Sequence, residues 1–97
     1  MILLEILEKI LASRTENREQ LMLEFEKYFL LNDKSLNIPT QVNEIFHDLI
    51  SDFAYYEPDY NLQIEHNSFF GDNGLEEKIK TALHRIYSLM GDRESMI

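Results

Sequence analysis

Three histidines and an excess of carboxylates are the residues of this sequence that could bind a metal ion or transfer protons. Glu65 and His66 are adjacent, which brings a carboxylate and an imidazole together. Helical metal sites pair two histidines at spacings such as H-x-x-x-H or H-E-x-x-H, and neither spacing occurs among His47, His66 and His84. A single histidine beside acids is more often structural than a ligand, so we predict no metal site and no cofactor.

The carboxylate pair Glu57 and Asp59 is the other feature that could suggest catalysis, in this case hydrolysis. Hydrolysis by paired carboxylates needs a cleft and one carboxyl group with a raised pKa, and a small helical bundle seldom provides either. The chain has no cysteine and no G-x-S-x-G motif. The turn Gly71–Gly74 lacks the lysine of a phosphate-binding loop. We therefore predict that the protein is not an enzyme.

The negative charge is concentrated in one stretch of the chain. The net charge is −9, and no lysine or arginine occurs between Ser35 and Glu77. That stretch holds nine of the eighteen acids, whereas the remaining nine acids are balanced by nine bases. Nucleic acids and anionic membranes both require basic surfaces, so we expect neither direct nucleic-acid binding nor membrane binding. A basic protein partner is the natural complement. The nine acids are Glu44, Asp48, Asp52, Glu57, Asp59, Glu65, Asp72, Glu76 and Glu77.

Two parts of this stretch could form a binding surface. Glu44, Asp48 and Asp52 are spaced four residues apart and would form one stripe on a helix. Glu57 and Asp59 follow, interleaved with aromatic residues that could serve as buried anchors of an interface. Two alternatives stay open, because a charged stripe opposite an apolar face is often only a solvated surface, and the aromatic rings could equally pack in the core or against the loop. The candidate anchors are Tyr55, Tyr56, Tyr60 and either Phe69 or Phe70.

The elements that position these residues are helices. Apolar residues at the helical period predict helices over residues 2–12, 16–31, 39–55 and 75–90, with an irregular stretch over residues 57–74. Ser13 and Glu16 have the spacing of a capping box, and Asp72 or Asn73 could cap the last helix. We predict an all-α, single-domain antiparallel four-helix bundle over residues 1–97. The predicted buried faces include Ile2 in the first helix, Leu21 and Tyr28 in the second, and Tyr87 and Met90 in the last.

The N-terminal apolar run is interrupted by Glu5 and Glu8 and lacks a basic segment, so we interpret it as a helix rather than a signal peptide. No run approaches the roughly 20 apolar residues of a membrane span. We expect a cytosolic protein.

Two short motifs resemble a known family. Glu57-Pro58-Asp59 follows a helix that ends in aromatic residues, and Asp72-Asn73-Gly74-Leu75 precedes an amphipathic last helix. In this order, across residues 39–87, the chain resembles the colicin D immunity protein and its relatives in bacteriocin and contact-dependent inhibition systems. The resemblance implies a small helical bundle in the bacterial cytosol. It would bind, one to one, the basic nuclease domain of a toxin that cleaves transfer RNA in the anticodon loop.

The resemblance also implies which residues make the contact. Carboxylates around the E-P-D motif would occupy the places of RNA phosphates in the toxin's cleft, which assigns that role to Glu57 and Asp59. The family carries a further acid three residues before this glutamate, where this chain has Ala54, and Asp52 or Glu65 could supply the charge instead. The full set of predicted toxin-binding residues is Glu57, Asp59, Asp52, Asp48, Glu44, Tyr55, Tyr56, Tyr60 and Glu65.

A second function is compatible with the same sequence. The very apolar first helix would also suit a small acidic adaptor or regulatory bundle that binds a helix of another protein or self-associates.

Overall fold

The helices predicted from the apolar period all form. A computed structural model describes residues 1–32, 34–35, 37–65 and 68–90 of the chain. The described helices are α1 (Ile2–Ala12), α2 (Thr15–Asn32), α3 (Thr40–Phe53), α4 (Tyr60–Gln63) and α5 (Asp72–Leu89). Within those residues the protein is all-helical, and the one β feature is an isolated parallel bridge between Tyr56 and Phe70.

All four long helices contribute to one hydrophobic core. Four aromatic rings from α2 and α3 meet edge to face at its centre. The ring of Phe25 lies 5.5 Å from that of Phe46 and 5.8 Å from that of Phe53, and Phe29 lies 5.6 Å from Phe46. Edge-to-face pairs contribute about 0.5–1.5 kcal/mol each beyond the burial of their area. Phe25 in the middle of α2 thus meets Phe53 at the end of α3, and Phe29, one turn later in α2, meets Phe46 in the middle of α3.

Each long helix packs against two of the other three. α1 lies against α2 and α5, and α3 lies against α2 and α5. The chain is compact, with a Cα radius of gyration of 14.0 Å. None of the helices in the described part of the chain is long and apolar enough to span a membrane.

Two predicted caps are wrong. Ser13 ends α1 instead of beginning α2, and its hydroxyl donates a hydrogen bond to the carbonyl of Lys9. The last helix begins at Asp72, three residues earlier than predicted, with Gly71 at the N-cap position and no side-chain cap. An acid in the first turn of a helix is favoured by the helix dipole, and the Asp72 carboxylate is held by tertiary contacts instead. Gly91 directly follows the predicted end of this helix at residue 90, where a glycine suits the C-terminal cap, and it lies outside the described residues.

A few predicted core residues lie at the edge of the core. Ile2 is 44% exposed and Tyr87 is 43% exposed. The buried face of α1 is narrower than the apolar run, because it holds only Leu3, Ile6, Leu7 and Ile10. Tyr87 keeps its hydroxyl at the surface, where it donates a 3.4 Å hydrogen bond to Glu8. Leu21, Tyr28, Ile50 and Met90 are partly buried against the core.

Candidate protein-binding surface

A buried arginine joins the N-terminal helices to the start of α5. Only 5% of Arg18 is exposed. Its Nη1 lies 2.8 Å from Oδ1 of Asp72 and its Nη2 lies 2.9 Å from Oε2 of Glu76. Its Nε donates a 3.1 Å hydrogen bond to the carbonyl of Ile10 near the end of α1. One side chain therefore satisfies a carbonyl at the end of α1 and two carboxylates in the first turns of α5.

Asp72 is the centre of this network. Its carboxylate also accepts hydrogen bonds of 2.7 Å from Thr15 and from the hydroxyl of Tyr56. Burial raises the pKa of Asp72, but the hydrogen bonds from Thr15, Tyr56 and Arg18 and the charge of Arg18 outweigh it and hold the pKa below its ordinary value. Burial and the hydrogen bond to Asp72 raise the pKa of Tyr56. The ionised carboxylate of Asp72 therefore has a structural role, since it links α2, the chain after α3 and α5.

The chain after α3 is fixed to the start of α5. The amide of Glu57 donates a 2.7 Å hydrogen bond to the carbonyl of Phe70, and the amide of Phe70 donates a 3.0 Å bond to the carbonyl of Tyr55. Tyr56 adds its bond to Asp72 at the same place. These contacts hold both ends of the loop that carries the E-P-D motif, so that its tip is presented on a fixed base. We call residues 55–65 the acidic-aromatic segment.

Glu57 and Asp59 lie together in this segment. The amide of Asp59 donates a 3.2 Å hydrogen bond to Oε2 of Glu57, and Oδ1 of Asp59 accepts a 2.8 Å bond from the amide of Asn61 as the N-cap of α4. Glu57 is partly buried and Asp59 is exposed. Each carboxylate thus accepts one local hydrogen bond, which leaves capacity for further donors because a carboxylate has about four acceptor sites.

Exposed apolar side chains belong to the same segment as these carboxylates. Tyr60 is 72% exposed, Ile64 is 68% exposed and Tyr55 is 44% exposed. Tyr55 lies beside Phe69, with the ring centroids 6.4 Å apart. The exposed Glu65 completes the segment. Aromatic rings such as these are enriched at protein-binding surfaces.

The acidic stripe on α3 lies beside basic residues of α5, which are distant from it in sequence. Asp48 and Asp52 line a groove of about 460 Å³ between α3 and α5, and Lys78 and Arg85 line the same groove. The ammonium of Lys78 lies 3.9 Å from Oδ2 of Asp52 and 5.1 Å from the ring centroid of Phe70. Glu44 is exposed on α3 but does not line the groove. This part of the surface is of mixed charge.

Tyr56 does not belong to the exposed surface. It is 8% exposed and part of the core cluster, and its ring lies 6.3 Å from that of Phe70, which is itself partly buried. Packing is the role that the structure shows for both rings. Ala54 lies at the surface in a groove whose lining acids are Glu19 and Glu26 of α2. Neither Asp52 nor Glu65 lines that groove.

The histidines are spread over the molecule. His47 is exposed with its ring 4.8 Å from that of Phe29, and His84 is exposed on α5. His66, and with it the Glu65–His66 pair, lies outside the described residues. Within the described part of the chain, no three histidines or carboxylates lie together as potential metal ligands.

Arg18 is the main structural residue that the sequence interpretation missed. The buried residues of α2 are Arg18, Met22, Phe25 and Phe29, so the arginine continues the apolar stripe. A lone base at a core position predicts a buried ion pair, because a charge is buried only when it is paired. That signal was present in the sequence.

Comparison with known proteins adds no family: no protein-family model matches the chain, and no curated protein or solved structure matches it. The likeness to colicin D immunity proteins therefore stays a resemblance of two short motifs.

Proposed function

We propose that this protein is an immunity-type inhibitor that binds the basic active site of a toxin domain that cleaves transfer RNA. The acidic-aromatic segment would enter the cleft, with Glu57 and Asp59 in the places of RNA phosphates. In this proposal the protein is an inhibitor and not an enzyme, acts in the bacterial cytosol without a cofactor, and binds one toxin domain per chain. The observation that carries the proposal is the pairing of these two carboxylates beside exposed tyrosines on a fixed loop.

Preorganisation supports this role. The loop is fixed at its base by the bonds between Glu57 and Phe70 and by the bond between Tyr56 and Asp72. A surface that is already ordered loses less conformational entropy on binding, so more of the contact free energy remains as affinity. Opposite charges would mainly speed association and select the partner. Tyr55 and Tyr60 are the available anchors for affinity.

The acids of the α3 stripe have a smaller part in the proposal. Lys78 and Arg85 share a groove with Asp48 and Asp52, so the local field is weaker there than the sequence suggests. We place Glu57 and Asp59 at the centre of the contact and the stripe, with Glu65, at its rim.

We further infer that the four long helices form an antiparallel bundle, with α4 as a short turn inside one connection. Each long helix contacts two of the other three, α1 and α3 both packing against α2 and α5, and this pattern of contacts supports the arrangement. The ion pair between Asp52 near the end of α3 and Lys78 in the first half of α5 supports an antiparallel orientation of these two helices.

The test is association with the C-terminal domain of the protein encoded immediately upstream, which the proposal expects to be a basic domain of roughly 100 residues. Glu57→Gln/Asp59→Asn removes two charges but keeps acceptors for both local hydrogen bonds, and asparagine caps a helix as well as aspartate does. We expect the association rate at low salt to fall roughly tenfold, and roughly 100-fold for Glu57→Lys/Asp59→Lys.

The matched control is Glu5→Gln/Glu24→Gln. Both residues are exposed, and Glu24 lines a groove between α1 and α2. The control removes the same charge, so it corrects for the loss of net attraction. Equal rates for the two double variants, or the absence of a basic upstream domain, would contradict the proposal.

The adaptor function remains a prediction. The apolar residues of α1 that motivated it are largely buried in the core.

A further inference from the structure

The most exposed leucines of the described residues lie on α2. Leu23 is 65% exposed and Leu30 is 54% exposed. They are seven residues apart, so they lie on one face of the helix. The core face of α2 is already occupied by other residues, and these two leucines are not needed to close it. Single exposed leucines are common, so the neighbouring surface decides whether they mean more.

A groove lies beside this face, between α2 and α3. Its volume is about 280 Å³, and it continues from Leu23 across to Ile50 and Ala54. Glu19 and Glu26 line it too, and they are also seven residues apart on α2. Among the described residues, no lysine or arginine lines the groove. The bases of α2 that lie next to lining residues in sequence are Lys27 and Arg18, and Arg18 is already paired with Asp72 and Glu76. The complete lining is Glu19, Met22, Leu23, Glu26, Ile50, Phe53, Ala54 and Tyr56.

We propose that this groove, extended by Leu30, binds a basic amphipathic helix of another protein. An amphipathic helix places apolar side chains at helical spacing into an apolar groove. Lysine or arginine side chains along its edge can lay their methylene groups on the leucines and reach the two glutamates with their charged ends. The apolar residues of the groove supply affinity, and Glu19 and Glu26 favour a positively charged partner over a negatively charged one.

Charge complementarity argues against a second copy of this chain as the occupant. A two-fold dimer brings the same patch of both copies together. Glu19 and Glu26 of one copy would then lie near the same glutamates of the other, and each copy carries a net charge of −9. Like charges across an interface are unfavourable.

The proposal does not depend on the toxin-binding role. Glu57, Asp59, Tyr60 and Glu65 do not line this groove. Substitution of Glu57 and Asp59 could abolish toxin binding and leave the groove unchanged. Substitution of Leu23 could likewise abolish peptide binding and leave the toxin interaction unchanged.

The test uses the full chain and two synthetic helical peptides with the same leucine pattern. One carries lysine at its polar positions and the other carries glutamate. Binding is followed by fluorescence anisotropy of the labelled peptide. We expect the lysine peptide to bind and the glutamate peptide not to bind. Leu23→Ser should weaken binding at least about tenfold, which is the loss typical of one buried leucine anchor.

Leu31→Ser is the matched control, because Leu31 is on the same helix, is 75% exposed and does not line the groove. It should bind the lysine peptide as the unchanged chain does. Since any acidic protein attracts a basic peptide, the comparison is repeated at about 1 M NaCl, where the Debye length is roughly 3 Å. The difference between the two variants should persist there.

Amide NMR shifts locate the peptide. The proposal expects the largest shifts at Leu23, Ile50 and Ala54. Equal binding by Leu23→Ser and Leu31→Ser, or shifts confined to residues 57–65, which do not line the groove, would overturn it. So would a dimer of the free chain that Leu23→Ser dissociates, because a second copy would then occupy the groove.

Discussion

The guanidinium of Arg18 and the carboxylate of Asp72 form a 2.8 Å ion pair across 54 residues of sequence. The pair links the start of α2 to the start of α5. Through the hydroxyl of Tyr56, Asp72 also holds the chain that enters the acidic-aromatic segment. A single charge pair between a buried arginine and a partly buried carboxylate thus connects the N-terminal helices to the base of the proposed binding loop.

Replacing Arg18 with methionine should lower the free energy of unfolding by about 3 kcal/mol. Methionine keeps much of the buried volume but leaves the Ile10 carbonyl without this donor and two carboxylates without their cation. Urea denaturation measures the loss. Arg14→Met, at an exposed position, should change stability by less than about 0.5 kcal/mol. Similar denaturation midpoints for the two variants would show that the buried pair does not stabilise the fold.

The stability that Asp72 contributes should depend on pH. The pKa of this carboxyl is lower in the folded protein than in the unfolded chain, where the ordinary value is about 4. Its contribution is therefore fully present above the unfolded pKa and is lost as the pH falls through the folded pKa. The stability gap between the unchanged protein and Asp72→Asn should be constant above about pH 5 and shrink below about pH 4. A gap that is the same throughout the acid range would mean that the charge of Asp72 is not what stabilises the fold.

The helices and most of the core could be predicted from the sequence because the apolar period is a local signal. The buried residues Val42, Ile45, Phe46, Leu49 and Phe53 of α3 are all where that period places them. The early start of α5 could not be predicted in the same way. Asp72 lies in the first turn because Thr15, Arg18 and Tyr56 bind its carboxylate, and those partners are distant in sequence.

The candidate site was predictable only in part. The E-P-D carboxylates are separated by one residue in sequence, so their proximity in the loop follows from the local chain. The charge around the α3 stripe depends on which helix packs beside it. Asp52 is in a stretch without bases, yet Lys78 lies 3.9 Å away because α5 packs against α3. Tyr56 and Tyr60 are only four residues apart, and tertiary packing alone decides that the first is buried and the second exposed.

Gly74 should tolerate substitution poorly. A Cβ at this position would lie 2.9 Å from the Cβ of Phe70, which is too close for either atom to stay in place. Alanine improves helix propensity by up to about 1 kcal/mol, but overpacking costs about 1–3 kcal/mol. We expect Gly74→Ala to lower the free energy of unfolding by about 1 kcal/mol and to disturb the bridge between Tyr56 and Phe70.

Gly71 is the matched comparison for this effect. A Cβ there would lie 2.6 Å from Nε2 of Gln63, the flexible end of a side chain that can move away. Gly71→Ser adds a Cβ and keeps a residue that suits the N-cap position, so it should be the milder change. The prediction is checked by thermal denaturation together with amide exchange of Glu57 and Phe70. It is wrong if Gly74→Ala is the more stable of the two variants.

Removing the charge of Lys78 should test whether the α3 stripe takes part in binding. This ammonium is exposed and lies at the edge of ion-pair distance from Asp52, so the pair contributes at most about 0.5 kcal/mol to stability. Lys78→Met keeps the apolar stem beside Phe70 but leaves Asp52 without its neighbouring base. Lys80→Met removes the same charge from an exposed position two residues further along α5.

If the stripe lies at the rim of the contact, the association rate of Lys78→Met with a basic partner at low salt should be roughly twice that of Lys80→Met. The difference should disappear at high salt, because exposed charges are then screened. Equal rates at low salt would remove Asp48 and Asp52 from the proposed contact and leave it to Glu57, Asp59 and their exposed tyrosines.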